Sequence, residues 1–284
     1  MEEKNKINEV EAKVQGSAVV FTYLVTKDIV ETLERKLGYS LDREIKEEVR
    51  DLENRFLYDF WQYIPENLDK VAVNANPVSA QLETMVRRNG FPVISLDRVY
   101  LTNADEYLEV TRITDPKTGE VKVSERPGNR PLDEQISSLR KYEKIVLADV
   151  GAFEGGTLLE ISEMLENSGL DIEEIYLGFS SNKANRRINN NRKLTALNLF
   201  DFYEWIEMRD FFGIDGRNVG MDSDTRLYIP YWENLPKWAS ISKEKEREVA
   251  ELCKDYNGIL LGLLKQEEYD VRKIGRMIKY EGGK

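Results

Sequence analysis

The sequence has no histidine at all and a single cysteine, Cys253. The first absence removes imidazole acid–base catalysis, Ser-His-Asp triads and His-ligated zinc. The second removes intrachain disulfides and cysteine metal clusters. No apolar run approaches the roughly 20 residues that cross a bilayer, so no membrane partner is expected. The opening residues, MEEKNKINEVEAKVQ, carry charge where a signal peptide needs an apolar stretch, and a cytoplasmic location is expected. Positive charge is also short: 41 Lys and Arg face 52 Asp and Glu, for a net charge of −11. That makes nucleic acid an unlikely partner, since its backbone is bound by surplus cations. The 284 residues suffice for a core without covalent staples. With His and Cys ligands gone, a metal here is a hard cation held by oxygen, and Mg²⁺ is the candidate.

What is present is organised around Lys144–Leu159, KIVLADVGAFEGGTLL. Ile145–Ala148 is a short apolar run, read as a buried strand, and Asp149 ends it. After a loop, Gly155-Gly156-Thr157 leads directly into Leu158-Leu159-Glu160-Ile161, the start of a helix. In an open α/β sheet, ligands sit beyond the carboxyl ends of the strands. A helix start offers unpaired N–H groups and partial positive charge, glycines allow close approach, and a Thr hydroxyl adds a donor. The stretch therefore reads as a phosphate cradle with a carboxylate beside it. The bland alternative is an ordinary strand-to-helix turn.

Strands and helices alternate around that centre. Lys70–Asn74 reads as a strand, Val78, Leu82, Met85 and Val86 mark a helix face, and Phe91–Leu96 reads as the next strand, together a βαβ unit. Leu132–Lys141 reads as a helix before the central strand, and Ile172–Phe179 as the strand after the next helix. The expected fold class is α/β, a central mostly parallel sheet with helices on both faces. Residues 1–69 read as a helical N-terminal extension packed on the core. In it Asp28–Leu37 is one helix and the Leu52, Phe56, Leu57, Phe60, Trp61 stripe marks a second, while Ser17–Thr26 is either a strand or the start of a buried helix. Residues 70–241 read as the α/β domain, with a β insertion over 97–130 that includes Val99–Leu101, Tyr107–Ile113 and Val121–Val123. Asp115–Gly119 reads as a turn. Residues 242–284 read as a C-terminal helical segment, which packs on the domain or serves a homodimer or larger assembly. Ser180–Lys193 carries five basic residues and five asparagines, and is either a solvated surface or an anion site.

The full string at 145–158 resembles the phosphoribosyl-diphosphate (PRPP) loop of the type I phosphoribosyltransferases, with Asp149 on the first acid and Gly155, Gly156 and Thr157 on the phosphate-binding end. Val150 stands where that family has a second acid. Phe153 stands where it often has the acid that assists chemistry at the sugar, and the adjacent Glu154 is the candidate substitute. The resemblance covers roughly residues 70–210. It implies that Asp149 binds ribose hydroxyls and Mg²⁺, and that the junction holding Asn74, Asn76 and Ser79 takes the pyrophosphate. It also implies a flexible loop bringing Arg126 or Arg130 over the leaving group. The segment after the sheet would close over a nucleobase, with stacking candidates among Phe202, Tyr203, Trp205, Phe211, Phe212, Tyr231, Trp232 and Trp238. Edge contacts would come from Arg209, Asp210 and Asp215. The implied activity is transfer of a phosphoribosyl group from PRPP to a nucleobase or related acceptor. The alternative is an inactive nucleotide-sensing subunit on the same fold, for example in a bacterial conflict or defence system. A hydrolase or nucleotidase has neither a nucleophile elbow nor a metal-ligand cluster to support it.

Overall fold

A computed structural model of the chain describes residues 20–114, 121–126, 128–220 and 226–271. It begins with strand β1 (Thr22–Lys27), followed by helices α1 (Ile29–Leu37) and α2 (Arg43–Phe60). Helix α1 stops because Gly38 takes a left-handed φ of 82° and donates its N–H to the Glu34 carbonyl at 2.9 Å. Strand β2 (Asp69–Asn74), helix α3 (Ala75–Val86) and strand β3 (Val93–Ser95) come next. They are followed by β4 (Glu106–Tyr107), β5 (Val110–Thr114) and β6 (Val121–Glu125). Helix α4 (Leu132–Ser138) leads into β7 (Lys144–Ala152), α5 (Gly156–Asn167), β8 (Asp171–Ser181), α6 (Asn182–Asn189) and β9 (Leu194–Phe200). The chain continues through β10 (Phe202–Glu207), α7 (Met208–Phe211), β11 (Arg217–Gly220), β12 (Arg226–Ile229), α8 (Leu235–Trp238) and α9 (Glu246–Gln266).

The main sheet has five strands in the order β4-β3-β7-β8-β9, and every pairing in it is parallel. Successive side chains on a strand point to opposite faces. Ile145 and Leu147 of β7 accordingly join a core with α4, α5 and α6, while Val146, Ala148 and Val150 join a second core with α3. Burial on both faces explains why β7 reads as an unbroken apolar run. The expected α/β class with a parallel sheet between helices is therefore observed.

Three details differ from the sequence reading. First, β2 and β3 do not share a sheet. β2 pairs in parallel with β1, and β3 with β7, so the helix between them bridges two sheets. The periodicity of strand–helix–strand does not state which neighbour each strand finds, and β1 offered a second edge. Second, residues 1–69 are not purely helical, since β1 is the middle strand of a three-stranded sheet, β10-β1-β2. Third, Val99–Leu101 is no strand. The Asp97 carboxylate accepts the N–H groups of Val99 and Tyr100, both at 2.7 Å, and curls the backbone into a turn. The expected turn at Asp115–Gly119 lies outside the described residues. A remaining four-stranded sheet, β12-β11-β5-β6, sets the hairpin-like β5 and β6 beside β11.

Helices α1, α2 and α9 share one core with β1 and the segment from Ile206 to Ile241. Phe56 sits fully buried in it, its ring 5.5 Å from Phe60, 5.5 Å from Phe211, 5.1 Å from Phe212 and 5.4 Å from Tyr256. The first sixty and the last described residues are thus held by the same ring cluster. Phe56→Ala should cost about 3–5 kcal/mol. A urea unfolding curve checks it, with a lowered midpoint expected and an unchanged midpoint refuting the packing described.

Candidate functional site

The site begins where β7 hands over to α5. β7 stays paired with β8 through Gly151↔Phe179 and Ala152↔Ser180, so Asp149 is fixed in a continuous ladder. Gly151 has to be glycine. A Cβ there would sit 2.6 Å from the Phe179 carbonyl oxygen and 2.7 Å from the Trp205 ring. Gly155 has φ 77° and caps α5, and its carbonyl accepts the Leu159 N–H at 3.0 Å. A Cβ on Gly155 would meet Ile188 at 3.1 Å, whereas one on Gly156 would meet nothing within 4 Å. The first N–H groups of α5, including those of Gly156 and Thr157, lie ahead of the helical ladder and face ligand or solvent.

Helix α6 braces this loop. Lys183 pairs with the Glu154 carboxylate at 3.0 Å, Arg187 donates to the Glu154 carbonyl at 3.3 Å, and the Ser181 hydroxyl donates to the Phe153 carbonyl at 2.5 Å. The Phe153 ring stacks on Phe202 at 5.6 Å and 13°. The basic run at 180–193 therefore has a local role: two of its cations hold the loop.

A cavity of about 490 Å³ opens at this junction. Its walls bring together Asp149, Glu154, Gly155, Gly156, Thr157 and Arg126 of the expected set. Arg126 is partly buried, its Nε 3.7 Å from Glu109 Oε2. Arg130 is exposed and is not on the wall. Nor are Asn74, Asn76 and Ser79. They lie at the start of α3, whose Val78 packs over Gly178 of β8. Of the expected ring and edge residues, Trp205, Tyr231, Trp238, Arg209, Asp210 and Asp215 line the cavity. Phe211 and Phe212 instead belong to the ring cluster around Phe56.

Sequence reasoning missed the charge cluster behind that wall. Arg209 is 3 % exposed. Its Nε lies 3.3 Å from Asp28 Oδ2 and 3.9 Å from Asp215 Oδ2, and its Nη2 lies 2.5 Å from Glu207 Oε1 and 3.6 Å from Asp97 Oδ2. Lys36 binds Asp215 at 2.7 Å. Asp28, Lys36 and Asp97 come from widely separated segments and carry no motif spacing, so nothing in the chain order announces them. Burial pushes the Asp28 carboxyl well up, against the pull of Arg209. Burial also acts on Asp215, but Lys36 and Arg209 outweigh it and hold that carboxyl below its ordinary value.

Asp149 accepts the Val150 N–H at 2.8 Å. Burial pushes its carboxyl up to about 7, and the charges of Asp97 and Glu207 push the same way, against Val150 N–H and Arg126. Among the described residues no three acids converge as a metal-binding group. Asp149 thus suits Mg²⁺ as one ligand beside substrate oxygens, the usual manner of that ion.

No family model matches the sequence, and no curated protein matches it. Among solved structures, the chain is similar to an adenine phosphoribosyltransferase from Thermoanaerobacter pseudethanolicus, at 14 % identity and a TM-score of 0.32 over 44 % of this chain and 79 % of that one. It is also similar to the UMP synthase of Leishmania donovani, at 14 % identity and a TM-score of 0.28 over 64 % of this chain and 33 % of that one. At these scores the likenesses settle neither family nor reaction. No helix among the described residues is long and apolar enough to cross a membrane.

The Asp149 carboxyl generates a pH test. Between its model value of 3.8 and about 7, the folded chain keeps a proton that the unfolded chain has lost. Its contribution to stability therefore falls as pH rises through that window. Asp149→Asn lacks this titration. Its unfolding free energy relative to the parent protein should rise between about pH 4 and about pH 8. Parallel denaturation curves for the two proteins that keep a constant offset over that range would contradict it.

Proposed function

We propose that the cavity binds the 5-phosphate of a ribose 5-phosphate ligand, PRPP or a nucleotide, and that the protein transfers a phosphoribosyl group to a nucleobase or related acceptor. One observation carries the reading. The N-terminus of α5, with Gly156 open above it, faces a cavity at the carboxyl end of the central strand β7, and Asp149 stands beside it. The N–H groups of Gly155, Gly156 and Thr157, with the Thr157 hydroxyl, hold the phosphate. Asp149 binds the ribose hydroxyls and lends an oxygen to Mg²⁺ arriving with the diphosphate. Arg126, on the opposite wall, faces the leaving diphosphate. The C1–O bond breaks with its electron pair leaving on diphosphate, the acceptor nitrogen forms the new C1–N bond, and its proton departs with the released diphosphate. The transition state is cation-like at the sugar, so the protein's part is positioning and charge stabilisation.

A second reading keeps the binding and drops the turnover. Val150 supplies no second acid, and Glu154 is engaged by Lys183 rather than free to assist at the sugar. On this reading the chain senses a nucleotide as a regulatory subunit.

Binding is measured first, by calorimetry with ribose 5-phosphate and with PRPP plus Mg²⁺. Pyrophosphate release is then followed on adding nucleobases, where release supports transfer and binding without release supports sensing. Thr157→Ala should weaken ribose 5-phosphate about tenfold, the worth of one hydrogen bond to a charged group. Gly156→Asp puts a carboxylate at a helix start, which favours the helix and repels the phosphate. Binding should vanish with no fall in melting temperature. A parent protein that ignores ribose 5-phosphate, or variants that bind as it does, would sink both readings.

A further inference from the structure

The cavity has a second side, away from the phosphate end, and its unpaired groups are nearly all of one kind. Trp205 Nε1, Arg209 Nη1 and Arg217 Nε are buried nitrogen donors on the wall with no hydrogen-bond partner among the described residues. Arg209 spends its other two nitrogens on carboxylates, so Nη1 is what remains of a guanidinium that is 3 % exposed. The unpaired acceptor on this wall is Glu207 Oε1, and it lies 2.5 Å from Arg209 Nη2, so its charge is already met. A buried donor without a partner costs about 1–3 kcal/mol. Donors kept this way along one wall fit a ligand that brings acceptors.

Two further features narrow the ligand. Aromatic faces adjoin the donors: the Arg217 guanidinium lies 5.3 Å from the Tyr231 ring, and Tyr231 lies 6.1 Å from Trp238. Flat faces with N–H groups at their margin suit a planar ring bound by stacking and by its edge. The charge then selects among such rings. Asp97, Glu204, Glu207, Asp210 and Asp215 share this side with Arg209 and Arg217. Carboxylates outnumber guanidiniums, so an anionic ring meets like charge whereas a neutral carbonyl oxygen does not.

We propose that this side seats the acceptor, and that the acceptor is a neutral planar heterocycle whose edge presents carbonyl oxygens rather than amino groups. Its place in a reaction rests on the phosphoribosyl reading above. The preference for carbonyl over amino edges does not, because it follows from the three donors alone.

The test measures binding of bases to the full chain by calorimetry, without ribose 5-phosphate and then with it. Hypoxanthine and adenine share one bicyclic frame and differ by an oxo or an amino group. Hypoxanthine should bind at least about tenfold tighter, the equivalent of 1.4 kcal/mol. Uracil should bind tighter than orotate, which adds a carboxylate. Trp205→Phe and Arg217→Gln each remove a donor and should shrink the hypoxanthine-to-adenine ratio by about tenfold, a readout that general loosening of the cavity does not give. Equal affinities, a preference for adenine, no base binding at all, or a ratio unmoved in both variants would overturn the assignment. A preference for orotate would overturn its neutral part. Hypoxanthine binding with no ribose 5-phosphate binding would sink the phosphate cradle and leave this subsite standing, and the reverse result would do the opposite.

Discussion

Arg209 is the charge on which the architecture turns. Taking a guanidinium out of water costs several kcal/mol, and only well-placed carboxylates offset it. Here the partners come from different layers. Asp28 sits at the end of β1, Asp97 just past β3 of the main sheet, and Glu207 at the end of β10. The Arg209 N–H also donates to Asp28 at 3.1 Å. Removing any one carboxylate leaves a buried cation short of compensation, so the sheets cannot shift independently without exposing an unpaired charge. A polar seam of this kind holds the two sheets at one relative setting, where an apolar contact would tolerate sliding.

The consequence for the site is that its two ends are built by different sheets. The loop after β7 belongs to the five-stranded sheet, and Trp205 to the three-stranded one. They touch where Trp205 presses on Gly151, a contact that any side chain at 151 would break. The separation between the phosphate end and the ring-lined end is thus set by a tryptophan against bare backbone, with the Arg209 cluster behind it.

The main sheet was legible because its signal is local. An apolar run, an acid, a glycine turn and a helix face follow one another in β7 and α5, and each has a physical reason to be where it is. The ends of the cavity contributed by Trp205, Tyr231 and Trp238 were legible only as composition, since aromatic residues in this stretch serve both the cavity and the Phe56 cluster. The partnership of β2 was not legible. Its alternating residues suit either sheet, and what decides is β1, whose residues Thr22–Thr26 are buried and need neighbours on both edges. Asn74, Asn76 and Ser79 follow β2, so the misassigned strand carried the expected pyrophosphate residues away from the cavity. The Arg209 cluster was out of reach for a simpler reason: lone acids at 28 and 97 look like any surface acid until the fold buries them.

The parallel pairing of β1 with β10 has a cost during biosynthesis. Thr22 pairs with Phe202, 180 residues along the chain. β1 finds β2 early, but its other edge stays open until most of the protein has left the ribosome. An apolar strand with one unpaired edge is a template for association with other chains, and contacts this distant in sequence form slowly. The yield of folded protein should therefore depend on how the half-made chain is shielded, and fragments ending before Phe202 lack the strand that closes the sheet.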